Sequence, residues 1–170
     1  TLDARPTPRT GPSPTFTLPF VTPEPGHTLA VRAYLRAVHS RVLLEYARRT
    51  AANRNLLADA QSMGMDADML CADEGEAQWH HMADLIDETG AIAAPTGCTE
   101  FRQLLLDSLE GAETTAQSHG WLCETYAVFG QPAEGMWAKM IQQVRSCQVR
   151  SEQLHEHWRS LGGDELGLLW

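Results

Sequence analysis

From residue 28 onward, apolar side chains return every three or four positions, the spacing that gives a helix one oily face. Val31, Leu35, Val38, Val42 and Tyr46 set this rhythm first and predict a helix over 28–59. After a break near Gly64, Met65, Met69, Ala72, Trp79, Ala83 and Ile86 predict a second helix over 66–88, with Thr89-Gly90 as its stop. A loop over 91–98 holds Pro95 and Gly97, and Thr99 is placed to cap the next helix. Phe101, Leu105, Leu109, Ala112, Ala116, Leu122 and Tyr126 mark this third helix over 99–129, ended by Gly130-Gln131-Pro132. Trp137, Met140, Val144, Cys147, Leu154 and Trp158 mark a fourth over 133–161, ended by Gly162-Gly163. Nothing alternates with the period of two that a strand requires. Four long helices with short connections predict an all-α, antiparallel up-down-up-down four-helix bundle.

Composition sharpens the domain plan. Of nine prolines, seven fall in the first 25 residues, and only Pro95 and Pro132 lie beyond them. Proline lacks an N–H and breaks helix interiors, so the chain divides into an extended Pro/Thr-rich arm (1–26), a bundle (27–163) and an apolar tail (164–170). Phe16, Leu18, Phe20 and Val21 are the arm's candidate anchors, on this chain or a neighbour. The tail carries Leu166, Leu168, Leu169 and Trp170, which either dock into a partner or fold back over the bundle end.

Charge removes several classes. With 13 basic and 22 acidic side chains the net charge is −9, which disfavours a nucleic-acid partner. No apolar run approaches the roughly 20 residues needed to span a bilayer. No signal segment is visible, and a cytoplasmic location is the expectation. Cys71, Cys98, Cys123 and Cys147 show no C-x-x-C pairing, so they read as small buried apolar residues rather than zinc ligands, with disulfide pairing left open.

The acids of most interest are those the periodicity turns inward. Glu45 comes after Val38 and Val42 on the first helix, where a carboxylate needs a cation. Either a metal or a neighbouring Arg41 or Arg49 would supply one. The second helix carries Glu76 and His80 four apart, the third Glu110 and Glu113, and the fourth Glu152 and His155 as Glu-x-x-His. Hard carboxylate oxygens with imidazoles suit iron or manganese.

In this arrangement the chain over 28–161 resembles the ferritin-like superfamily, most closely in RSEQLHEHWRSLG from Arg150 and ADEGEAQWHHMADLIDETG from Ala72. The resemblance implies two iron ions, or manganese, held by Glu45, Glu76, His80, Glu113, Glu152 and His155. It departs from the family's pattern at the second helix, where Glu-x-x-x-His stands in place of Glu-x-x-His, which allows an altered site. The function implied is oxygen or iron redox chemistry of the di-iron oxidase or ferroxidase type, in a homo-oligomer. The competing expectation is a non-catalytic bundle that assembles with itself or a protein partner through its arm and tail.

Overall fold

The computed structural model of the chain describes residues 25–50, 82–131 and 135–170. The described residues are helical, with no strand among them. Helix α1 spans Pro25–Val38, runs into a π-helical turn over His39–Leu43 and continues as α-helix through residue 50. Helix α2 spans Met82–Ala91, α3 spans Thr99–Phe129 and α4 spans Met136–Ser160, with a 3-10 turn after it at Asp164–Leu166. Among the described residues the most extensive pairing is α3 against α4, with α2 laid on α3 and on the π turn. No described helix is long and apolar enough to cross a membrane.

The α4 stripe explains that pairing. Met140, Val144, Cys147, Ser151, Leu154 and Trp158 are buried at steps of four and three, a seam suited to a neighbouring helix. Facing residues Phe101, Leu105, Leu109, Ala112 and Leu122 of α3 are fully buried in the same core. Helix α3 ends where the sequence expects. Gly130 takes a left-handed φ of 73°, and its N–H donates to the Tyr126 carbonyl at 2.8 Å.

Local chemistry moves three expected boundaries. Pro25 and Gly26, assigned to the arm, are already helical. Gly90 does not stop α2, which continues to Ala91 while the buried Thr89 hydroxyl donates to the Leu85 carbonyl at 2.7 Å. Thr99 is the first residue of α3 rather than its cap. Cys98 holds that position without a side-chain hydrogen bond, its N–H donating to the Pro95 carbonyl at 3.0 Å. The predicted continuation of the first helix to 59, the start of the second at 66 and the arm over 1–24 lie outside the described residues.

The π turn has the largest consequence. It absorbs one extra residue into the helix and so rotates everything after it relative to the residues before. Val38 and His39 are both buried, as are Val42 and Leu43, and the inner face then continues through Tyr46 and Thr50. Glu45 is carried to the flank of that face.

Candidate functional site

The structure places the expected metal ligands in different chemical situations. Glu45 does not point into an apolar core: a third of its side chain is exposed. Its carboxylate accepts from Arg48 Nε at 3.1 Å and from Arg49 Nε at 2.7 Å, and Arg48 Nη2 adds another contact. These hydrogen bonds, that from Arg48 foremost, hold the Glu45 carboxyl down at about 2. Of the two arginines expected to compete for it, Arg49 does so, whereas Arg41 donates to Glu88 at 2.6 Å.

Glu113 is half-buried on α3, and Glu110 and Glu152 are exposed. His155 is partly buried, and its ring stacks on the Trp170 indole with centroids 3.7 Å apart and planes 10° from parallel. Glu76 and His80 lie outside the described residues. Among the described residues no three His, Cys, Asp or Glu side chains are grouped so as to hold a metal ion.

What gathers instead, at the C-terminal end of α4, is a cluster of rings closed by the tail. Trp158, 1% exposed, lies 6.0 Å from Phe101 and 6.2 Å from His39, and meets Trp170 edge-on at 5.9 Å. The π turn aims His39 at this cluster, and its Nε2 lies 2.7 Å from the Leu169 carbonyl oxygen. Leu166, Leu168 and Trp170 pack against the core, while Leu169 is 86% exposed. Gly163 permits the turn-back, because a Cβ there would stand 2.2 Å from the Trp158 ring. The tail thus folds back over the ring cluster at the end of α4. His39 gave no signal in the sequence, because its burial depends on the π turn rather than on the helical period.

The cysteines divide. Cys98 and Cys147 are free, buried thiols, as expected of small buried apolar residues, and burial pushes both thiols up. Cys123 is buried as expected and is half of a disulfide, the pairing that the sequence left open, and His119 Nε2 lies 3.4 Å from its sulfur. Cys71 lies outside the described residues. Tyr34 is a core residue whose hydroxyl is buried without a partner among the described residues. Desolvation raises it to about 12.

No family model, no curated protein and no solved structure matches the chain.

Proposed function

We propose that the chain is a non-catalytic, self-associating helical protein, an antiparallel four-helix bundle that works by assembly. The observation that carries this reading is on the last turns of α3. Trp121, Val128 and Phe129 are 61%, 70% and 73% exposed. Residues seven and eight apart lie on one helix face. Together they present about 400 Å² of apolar surface, as much as monomeric proteins ordinarily leave in one patch. The occupant is a second copy of the chain. A two-fold contact needs only one self-complementary surface, and this patch sets three exposed apolar side chains beside the single carboxylate of Glu124 in a chain of net charge −9. Light scattering coupled to size exclusion tests it. The parent chain is expected to be an oligomer, and Trp121→Ser with Phe129→Ser a monomer of unchanged helicity. A parent that stays monomeric at the highest attainable concentration overturns the reading.

The ferritin-like di-metal reading rests on the sequence pattern alone. It would draw Glu76 and His80 from outside the described residues, and it would require Glu45 to leave two arginines and His155 to leave Trp170. Metal analysis of protein grown with iron separates the two. Stoichiometric iron that vanishes in both Glu113→Ala and His155→Ala would put iron and oxygen chemistry in place of simple assembly.

A further inference from the structure

The acids of this chain outnumber its bases, yet the first part of α4 reverses the balance. Between Met136 and Ser151 stand Lys139, Arg145 and Arg150, and the first acid of the helix is Glu152. These cations line two adjoining hollows. One, of about 340 Å³, lies between α3 and α4 and is lined by Thr114, Lys139, Gln142, Gln143, Ser146 and Arg150. The other, of about 370 Å³, shares Gln142, Ser146 and Arg150 and adds Arg145. Among the described residues, no carboxylate lines either hollow.

Two details make this more than a basic stretch of surface. Gln143 carries a buried side-chain oxygen with no hydrogen-bond partner among the described residues, in a side chain that lines the first hollow. A buried polar atom left unmatched is costly, and a ligand donor can match it. The Arg150 guanidinium also lies directly over Gly111 of α3, where a Cβ would come within 2.6 Å of Nη1. The missing side chain lets the arginine reach across α3 and stand at the cleft wall. A volume of this size suits a small molecule. Lys139 and Arg150 start about 16 Å apart along the helix, so their cationic ends, with hydroxyl and amide groups between them, match the two phosphoryl groups of a diphosphate rather than a single one.

We propose that the α3–α4 cleft is a binding site for a small molecule that carries a diphosphate, one phosphoryl group held by Arg150 and the other by Lys139, with a neighbouring hydroxyl or amino donor held by Gln143. The site is independent of the self-association surface, since it uses different side chains of α3.

Inorganic pyrophosphate is the probe, titrated into the full chain by calorimetry. Saturable binding is expected, weakened about tenfold or more in Lys139→Gln and Arg150→Gln, as loss of a charge-assisted hydrogen bond implies. Gly111→Ala keeps every charge and displaces only the flexible end of Arg150, so it should bind more weakly at unchanged helicity. Arg36→Gln, an exposed cation on α1, should bind as the parent does. Absence of saturable binding overturns the proposal, as does equal weakening in Arg36→Gln and Lys139→Gln, which would show attraction to net charge alone. Full affinity in Gly111→Ala removes Arg150 from the site.

Discussion

Replacing Trp170 with alanine tests whether the tail is a structural closure. The indole stacks on His155 at 3.7 Å, meets Trp158 edge-on at 5.9 Å and is partly buried against the core. Removing it uncovers on the order of 100–150 Å² of apolar contact, about 3 kcal/mol at about 25 cal/mol per Å². The two ring pairs add about 1 kcal/mol. Freeing the chain end returns about 1–2 kcal/mol of conformational entropy. The net expectation is a loss of about 2–3 kcal/mol, or about 5–10 °C in Tm for a chain of this size. Urea titration monitored by far-UV circular dichroism and tryptophan fluorescence measures it. Trp170→Phe keeps a ring and deletes an indole N–H that has no partner among the described residues, so it should stay within about 1 kcal/mol of the parent. A double-mutant cycle with His155→Ala should return a coupling of about 1 kcal/mol. A Trp170→Ala midpoint indistinguishable from the parent would refute the closure, and the tail would again be a candidate docking peptide.

Single contacts set further outcomes. Gly163→Ala should cost about 3 kcal/mol, because its Cβ would fall 2.2 Å from the ring of Trp158, which is buried too tightly to swing away; a cost below about 1 kcal/mol would show that the ring does move. Glu45 has a folded pKa of about 2 against 4.5 ordinarily, so its ion pairs stabilise the fold above the ordinary value and lose that effect as pH falls from 4.5 toward 2. Because a third of the side chain is exposed, solvent screens the pairs, and Glu45→Gln should cost about 1 kcal/mol or less at neutral pH and almost nothing near pH 2; a cost independent of pH would contradict the assignment. Cys98 and Cys147, buried with raised thiols, should react slowly with a disulfide reagent in the native protein and rapidly in denaturant; rapid native labelling would mean that the α3–α4 seam opens readily.

Much of the helical plan was legible because it is local. The bounds of α3 over Thr99–Phe129 and the stop at Gly130 come from periodicity and from a glycine that tolerates positive φ. The buried α4 residues Met140, Val144, Cys147, Leu154 and Trp158 are those the period selects. Each of these statements depends on residues no more than a few positions apart. The candidate ligands were less legible, since being on an inward stripe does not say which cation reaches a carboxylate first. Arg49, four residues from Glu45, was near enough for the sequence to suggest an ion pair but not to choose it over a metal, while Arg48, three residues away, was not among the partners it suggested.

The sequence by itself determined the helices of the described residues, a cluster of prolines at one end and the residues eligible for the core. Tertiary structure decided which way those residues face and what they touch. One extra residue absorbed at His39–Leu43 moved Glu45 to the flank and brought His39 to the Leu169 carbonyl. A glycine at position 163 let the tail lay Trp170 on His155, and a glycine at position 111 let Arg150 cross to the cleft. The helical period sets where a side chain leaves its own helix. Its partner is set by the space that another helix, distant in sequence, leaves open.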